Sequence, residues 1–410
     1  MCAMRRQYSC ARRGTYGPSE AANLCNHASQ MKVVALRETV EGERRLPVTP
    51  QAVARYVKLG ATVAIERGAG VGLGFSDAVF EEAGAELGDR ADLLATADVL
   101  LAVQPPAVND IAALRQGVVT VGLLDPFFRP EVVSALAGRG IDALCMELIP
   151  RSTYAQKMDA LSSQASLAGY AAVIVAAERI EKAFPMMSTP AGTIAPARVF
   201  VVGAGVAGLQ AIATAKRLGA RVEAYDTRPV VKEQVMSLGA RFVELDIGET
   251  GQTEQGYARE LSEEQLARQR EQMAKVCATA DVIVTTAQVF GRRAPVIITA
   301  AMVAGMKAGS VIVDLAASTG GNVEGTVADR EVLTENGVLI VGIGNMPAKV
   351  ARDATQVYAN NLYLLVEHTW DAESKALTLD TTDAVVGAAL LTYGGVIRDE
   401  RVKAVVEGSS

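Results

Sequence analysis

Histidine is scarce in this sequence. Only His27 and His368 occur among 410 residues, and no histidine or cysteine stands at a spacing typical of a metal site. Three of the five cysteines fall in the first thirty residues. The other two, Cys145 and Cys277, lie in apolar or helical contexts, where we predict reduced core residues. Metal chemistry is therefore not expected, and a mechanism that needs imidazole has few residues to draw on.

Strong charge and long apolar runs are also missing. The net charge is −6, which gives no sign of a general nucleic-acid binder. No apolar run reaches the roughly 18 residues that a membrane helix needs. The longest candidate, residues 384–397, is broken by glycines, Thr392 and Tyr393, which indicates buried core. Only 5% of the residues are aromatic, whereas small apolar residues abound, as in parallel sheets covered by helices.

One stretch organises the rest of the chain. Residues 199–202 predict a short buried strand, which a G-x-G-x-x-G pattern follows: Gly203, Ala204, Gly205, Val206, Ala207 and Gly208. The three glycines suit a tight turn, close approach of the backbone to a pyrophosphate, and close packing of helix on sheet. The next helix would direct its unpaired N–H groups at the phosphates. We predict a dinucleotide site; the alternative is a tight strand–helix crossover without a ligand.

The strand after this helix, Arg221–Tyr225, leads to a carboxylate. Asp226 would accept hydrogen bonds from the ribose hydroxyls and repel a 2′-phosphate, which favours NAD over NADP. Thr227 and Arg228 complete the candidate ribose-binding segment, and the positive charge of Arg228 weakens that preference slightly.

Residues 1–30 lack periodicity and carry four arginines against one acidic residue. This composition is compatible with a transit peptide, but we favour a disordered upstream extension, with Met31 as the natural start.

A second glycine cluster, residues 68–74, does not fit the dinucleotide pattern and predicts a turn-rich loop. The polar, non-periodic residues 246–262 predict a long functional or disordered loop. That loop ends at a capping box formed by Ser262 and Gln265.

From residue 32 onwards strands and helices alternate regularly. Candidate strands of a first sheet are residues 32–36, 62–66, 98–102, 118–121 and 142–146. In a second sheet, residues 241–243, 282–286, 311–315 and 338–341 would join the two fingerprint strands to make six. The pattern predicts an α/β fold of two Rossmann-like, doubly wound parallel-sheet domains.

Two long helices, residues 159–181 and about 351–366, would link these domains. The ligand cleft is expected between the two domains. We expect the first domain to be discontinuous, with residues 31–160 and 350–410. The second, NAD(H)-binding domain would span residues 161–349.

Several motifs resemble the alanine dehydrogenase/NAD(P) transhydrogenase superfamily. The chain start carries two of them, residues 31–39 and 43–50. Similarity to the transhydrogenase branch is close at residues 146–151, 155–164, 168–170, 201–210, 256–257, 313–315 and 320–325. The match covers roughly residues 31–410. The chain therefore resembles the NAD(H)-binding component of proton-translocating NAD(P) transhydrogenases.

This resemblance implies roles for individual residues. A loop would hold and orient the nicotinamide end of the coenzyme through Arg151, Gln156, Asp159 and Ser162. The fingerprint and Asp226 would hold the pyrophosphate and the adenosine ribose, and Tyr257 would lie on a mobile loop that closes over the nucleotide. Without the resemblance, Arg151, Gln156 and Asp159 would indicate only a polar helix start.

The resemblance also implies partners. The chain would bind NAD(H) and pass hydride to NADP⁺ held on a partner subunit, in a Re/Si-specific reaction coupled to proton translocation by a membrane subunit. No membrane helix follows before Ser410, so we expect the separate-subunit form, a homodimer on the cytoplasmic face of the inner membrane. No nucleic acid is expected as a partner.

Alanine dehydrogenase is the alternative within the superfamily. Reduction of an imine needs proton transfer, and the family places a lysine and a histidine in the cleft for it. Here Gln104 stands at the lysine position, and residues 122–126 contain no histidine. Arg45, which would bind a substrate carboxylate in that family, remains but cannot run the chemistry alone. His368 is interpreted as a surface or packing residue.

Hydride exchange between two nicotinamides needs no proton transfer at the carbon centre. The protein must only bring the two rings to about 3–3.5 Å, and the cofactors supply the chemistry. An amide, a carboxylate, a guanidinium and a hydroxyl on the loop suit that task. A non-enzymatic NADH sensor is a third hypothesis, but it would not need this set of four residues.

Overall fold

The computed structural model describes residues 30–246, 248 and 262–408. The predicted extension, apart from residue 30, and Tyr257 with most of the predicted long loop lie outside the described residues.

The strands are β1 Lys32–Ala35, β2 Thr62–Glu66, β3 Ala85–Gly88, β4 Val99–Leu101, β5 Val119–Gly122, β6 Asp142–Cys145, β7 Met187–Thr189, β8 Gly192–Ile194, β9 Arg198–Val202, β10 Arg221–Tyr225, β11 Arg241–Phe242, β12 Val282–Thr285, β13 Val311–Asp314, β14 Glu331–Leu333, β15 Leu339–Val341, β16 Trp370–Asp371, β17 Ala376–Leu377, β18 Leu390–Tyr393 and β19 Val396–Ile397. The α-helices are α1 Pro50–Leu59, α2 Asp77–Glu82, α3 Arg90–Thr96, α4 Val108–Ala113, α5 Pro130–Arg139, α6 Ala160–Arg179, α7 Val206–Arg217, α8 Lys232–Ser237, α9 Glu263–Cys277, α10 Ala300–Ala304, α11 Ala351–Thr369, α12 Ala384–Ala389 and α13 Glu400–Val406. Short 3₁₀ helices lie at Val71–Leu73, Met146–Leu148, Ala155–Met158, Pro229–Val231, Ala317–Thr319 and Met346–Val350.

The first sheet has the order β3-β2-β1-β4-β5-β6-β18-β19. Its first six strands are parallel and follow the 3-2-1-4-5-6 order of a doubly wound fold. Strands β18 and β19, from the C-terminal part of the chain, add an antiparallel edge beside β6. The predicted strands are present, each within one or two residues, whereas β3, β18 and β19 were not predicted.

The second sheet repeats this topology with the order β11-β10-β9-β12-β13-β15-β14. Six strands are parallel, and β14 pairs antiparallel with β15. The sequence predicted six strands and missed β14, a partly exposed edge strand whose Leu333 is 70% exposed. The prediction of two Rossmann-like parallel sheets is confirmed.

Local signals at two helix starts are confirmed. The Thr49 hydroxyl accepts from the N–H of Ala52 at 3.1 Å and caps α1, and the capping box of Ser262 and Gln265 opens α9. Cys145 and Cys277 are buried and form no disulfide, as predicted.

Helix α6 connects the last parallel strand of the first sheet with the second sheet. It packs against α7 and α11. At Gly169 its backbone approaches that of α7 so closely that a Cβ there would collide with the carbonyl oxygen of Ala207. By length and composition alone, α6 could cross a membrane; polar residues interrupt it, so no uninterrupted apolar run marks it in the sequence. Half of it is buried in the protein, and we describe it as a core helix.

Candidate functional site

The fingerprint loop joins β9 to α7. Gly205 is the N-cap of α7, and no side chain of the described residues caps that helix end. A Cβ on Gly205 would meet nothing nearer than a guanidinium nitrogen of Arg228 at 4.0 Å. The first turn of α7 therefore presents unpaired N–H groups beside open space, which is the geometry that binds a phosphate.

The other two fingerprint glycines are required by close packing. Gly203 has a φ of +95°, and a Cβ there would lie 2.5 Å from the Thr286 hydroxyl. A Cβ on Gly208 would collide with the carbonyl oxygen of Gly203. Both positions exclude any larger residue, and the tight turn that they permit brings the start of α7 against the end of β9.

Asp226 follows the end of β10, beside the fingerprint loop. Its carboxylate accepts the N–H of Ala204 at 2.7 Å and the N–H of Arg228 at 2.8 Å. The Arg228 guanidinium also donates to both oxygens, at 2.9 and 2.7 Å. This hydrogen bond raises the pKa of Arg228. The carboxylate thus lies at the strand end, but the guanidinium occupies the oxygens that a ribose would need. Thr227, which separates Asp226 from Arg228 in the chain, is half-buried.

The loop after β6 carries the other candidate residues. Arg151 and Gln156 are exposed on it. Asp159 is the N-cap of α6 and accepts from the backbone N–H of Ser162 at 2.9 Å and from its hydroxyl at 2.5 Å. Asp159 and Ser162 therefore form a helix cap, which agrees with the polar helix start that the residues indicate without the resemblance.

A cavity of about 450 Å³ lies next to this loop. Arg151 and Asp159 contribute to its wall, together with Phe290 from the loop after β12 and Arg398 and Arg401 near the C-terminal end. The cavity is thus built from both halves of the chain. Among the described residues, Gln156, Ser162 and the fingerprint residues are not part of its lining.

Glu147 also lines this cavity and was not singled out from the sequence. Its carboxylate accepts the N–H groups of Leu124 and Asp125 at 3.1 and 2.8 Å, and the Cys145 thiol lies 3.0 Å away. Burial raises the pKa of Glu147. A buried carboxyl on a cavity wall has no local sequence signal, because the strand ends that surround it come from different parts of the chain.

Arg45 lies in a buried polar cluster. Its guanidinium binds Glu43 at 2.6 Å, Gln164 at 2.8 Å and Asn345 at 3.2 Å. Gln104 donates to the same Glu43 carboxylate at 2.7 Å. Burial alone would raise the pKa of Glu43, but the hydrogen bonds and charge of Arg45 outweigh it and lower that pKa. Arg45 is therefore committed to residues of this chain.

Two further groups were missed. Burial raises the pKa of Glu38 to about 7. His368, interpreted from sequence as a surface or packing residue, contacts the loop that bears Arg151 and Gln156: its Nδ1 lies 3.3 Å from the Tyr154 hydroxyl. The two residues are 214 positions apart, so no local pattern could have shown the contact.

Comparisons with known proteins identify the family to which this fold and site correspond. The family model described as "Alanine dehydrogenase/PNT, N-terminal domain" matches residues 34–168, and that of its C-terminal domain matches residues 172–400. The chain is 44% identical to an NAD(P) transhydrogenase subunit alpha protein of Rhodospirillum rubrum, over 90% of this chain and 97% of that protein. A solved transhydrogenase structure from Sinorhizobium meliloti superposes with a TM-score of 0.81 at 43% identity, covering 89% of this chain and 99% of that one. Alanine dehydrogenase of Mycobacterium tuberculosis is 28% identical over 91% of this chain and 96% of that protein.

Proposed function

The chain belongs to the alanine dehydrogenase/PNT family, and from that premise we propose that it is the NAD(H)-binding subunit of a proton-translocating NAD(P) transhydrogenase. Hydride would pass between NADH on this chain and NADP⁺ on a partner subunit. The observation that carries the proposal is the 44% identity, over nearly the full length of both chains, to a protein named as a transhydrogenase subunit, against 28% to an alanine dehydrogenase.

The fingerprint region fits a dinucleotide. The uncapped first turn of α7 offers N–H groups to a pyrophosphate, and the open space over Gly205 lets a phosphate approach the backbone. Gly203 to Gly208 would hold the phosphates, and Asp226 to Arg228 the adenosine ribose. Tyr257 would complete the proposed NAD(H) site, on a loop that closes over the bound nucleotide.

NAD(H) specificity would depend on Asp226. A ribose hydroxyl needs a carboxylate oxygen as acceptor, so the Arg228 guanidinium must turn aside when the nucleotide binds. A 2′-phosphate would meet the carboxylate charge, although a displaced Arg228 would partly offset that repulsion. We therefore propose a preference for NAD(H) set by Asp226 and moderated by Arg228.

The loop after β6 would orient the nicotinamide. The bound reduced coenzyme supplies the hydride, and this chain positions the ring. Arg151 and Gln156, exposed on the loop, would contact the ring directly. Asp159 and Ser162 would act by fixing the start of α6, and hence the loop, in one conformation.

The alanine dehydrogenase alternative is less well supported. Arg45 is engaged by Glu43, Gln164 and Asn345, and Gln104, which stands where that family has a lysine, donates to Glu43 as well. A substrate carboxylate would have to displace a buried ion pair, and neither group could exchange a proton with an imine nitrogen near neutral pH.

The proposal includes partners that are absent from this chain: a membrane subunit that conducts protons and a subunit that holds NADP(H), on the cytoplasmic face of the inner membrane. The designation of the Rhodospirillum rubrum relative as a subunit supports a multi-subunit assembly. An exposed hairpin, β7–β8, carries Met187 at 46% and Ile194 at 43% exposure and supports a homodimer. We also propose the domain division into residues 31–160 with 350–410 and residues 161–349, supported by the membership of the two sheets.

The test mixes the purified chain with the NADP(H)-binding subunit of a transhydrogenase and follows oxidation of NADH by an NADP⁺ analogue. We expect hydride exchange in the mixture and none with either protein alone. NAD⁺ reduction by the isolated chain in the presence of alanine would instead support the dehydrogenase alternative and refute the proposal.

A further inference from the structure

Tyr154, His368 and Asp383 form a hydrogen-bonded chain behind the candidate nicotinamide loop. Tyr154 lies on that loop between Arg151 and Gln156. Its hydroxyl is 3.3 Å from Nδ1 of His368, and the two rings meet edge-on with centroids 5.6 Å apart. On the other side of the imidazole, Nε2 lies 3.1 Å from Oδ1 of Asp383. No role assigned so far uses any of these three side chains.

The chemistry of Asp383 assigns the proton positions on the imidazole. Its Oδ1 also accepts the backbone N–H groups of Val386 and Val385, at 2.9 Å each, and the bond from Val386 is the main reason why its pKa is lowered. An ionised carboxylate only accepts, so Nε2 of His368 carries the proton and Nδ1 accepts from the Tyr154 hydroxyl.

The two ends of this link differ in how they are held. His368 lies in the last turn of α11, where its side chain is only 17% exposed, and Asp383 is the N-cap of α12. Tyr154 is 66% exposed on a connecting loop. Packing therefore contributes little to the placement of Tyr154, and the bond to His368 joins the loop to elements of the folded core.

We propose that His368 is a positioning residue that holds Tyr154, and with it the segment from Arg151 to Gln156, in the conformation presented to the nicotinamide ring. This inference rests on the proposed function, which assigns Arg151 and Gln156 to that ring. The imidazole orders the loop before the coenzyme arrives, so that less conformational entropy is lost when the ring is positioned.

The first test measures the loop without any nucleotide, by hydrogen exchange of the backbone amides of residues 152–157. Tyr154→Phe and His368→Gln both break the bond between loop and imidazole. The first removes the hydroxyl; in the second, the Gln amide reaches the place of Nε2 but leaves no acceptor at the place of Nδ1. We expect exchange about fivefold faster in both, as for the loss of one neutral hydrogen bond. His368→Asn places an acceptor near Nδ1 and should restore most of the protection. Tyr393→Phe removes a hydroxyl from a surface tyrosine elsewhere and should leave the loop unchanged.

The second test is hydride exchange with the NADP(H)-binding subunit. Tyr154→Phe and His368→Gln should lower kcat severalfold, with the KM for NADH unchanged and with His368→Asn intermediate. Unchanged amide exchange in Tyr154→Phe and His368→Gln would overturn the proposal that His368 holds the loop, whatever the activity of the protein. Faster exchange with unchanged kcat would overturn the positioning role, while activity of the unsubstituted chain would still uphold the proposed function.

Discussion

Glu38 offers a direct test of how burial and a neighbouring charge shift the titration of a carboxyl in this protein. It follows β1, and its carboxylate accepts the N–H of Val103 at 2.7 Å. Burial raises its pKa from 4.5 to about 7, and the nearby charge of Glu43 adds to the rise. In the unfolded chain the group titrates at its ordinary value, so between pH 4.5 and 7 the folded protein binds more protons than the unfolded chain. Stability that depends on the neutral carboxyl is therefore lost as the pH rises through this window.

The size of the effect follows from the same values. A pKa that differs by about 2.5 between the two states corresponds to roughly 3 kcal/mol, since each pKa unit is worth about 1.4 kcal/mol. Glu38→Gln keeps a carbonyl oxygen for the N–H of Val103 but cannot ionise. We expect the variant to match the parent chain near pH 4.5 and to become more stable than it as the pH rises, by up to about 3 kcal/mol at pH 8.

Urea unfolding at several pH values between 4.5 and 8 measures this difference. Fluorescence of Trp370, the only tryptophan in the sequence, is a suitable signal because this side chain packs against the core cluster that contains Val103. Glu41→Gln, at an exposed position on the same loop, controls for the loss of one negative charge. If the difference in unfolding free energy between Glu38→Gln and the parent chain stays constant across the pH range, the reasoning is refuted. Glu38 would then have the same pKa in the folded and the unfolded chain.

Three further predictions concern the candidate nucleotide site. Gly208→Ala should weaken NADH binding in calorimetry by about tenfold or more, because its Cβ collides with the fingerprint turn and overpacking costs about 1–3 kcal/mol. Gly138→Ala, whose Cβ meets nothing within 4 Å in helix α5, is the matched control, and equal weakening in both would remove the steric argument. Asp226→Asn should bring the Kd values for NADPH and NADH closer together, since the charge that opposes a 2′-phosphate is gone; an unchanged ratio would contradict that account. Gln156→Ala should lower kcat for hydride exchange about tenfold with NADH affinity retained, whereas equal loss of both would mean that Gln156 only anchors the ligand.

Local patterns predicted most of the parallel strands and several helix ends. The central strands are continuous runs of buried apolar residues, and caps such as Thr49 act over three residues, so both are visible in a short window. Of the missed strands, β3, β14 and β19 lie at sheet edges or are very short, whereas β18 is a buried strand between β6 and β19. At sheet edges, pairing with a neighbour and not hydrophobic periodicity decides the structure.

The candidate site was predictable only to a limited extent, for a similar reason. The fingerprint is a local motif, and its glycines are explained by contacts within a few residues or with an adjacent strand end. The side-chain contacts that commit Arg45 and place His368 link residues far apart in the sequence; Arg45 and Asn345, for example, are 300 positions apart. The ion pair of Asp226 with Arg228 is local, but its geometry depends on the turn that follows β10, which composition does not reveal.

The contact of Gly169 with Ala207 has a consequence for any ligand that spans both ends of the site. Helix α6 starts at the candidate ring-orienting loop, and nine residues later, about 14 Å along its axis, its backbone closely approaches the first turn of α7. With no side chain between the two backbones at this point, α6 would act as a spacer of fixed length between the candidate phosphate end and the candidate ring end of the site. Coenzyme analogues with a lengthened bridge between phosphate and ring should therefore bind more weakly than NADH.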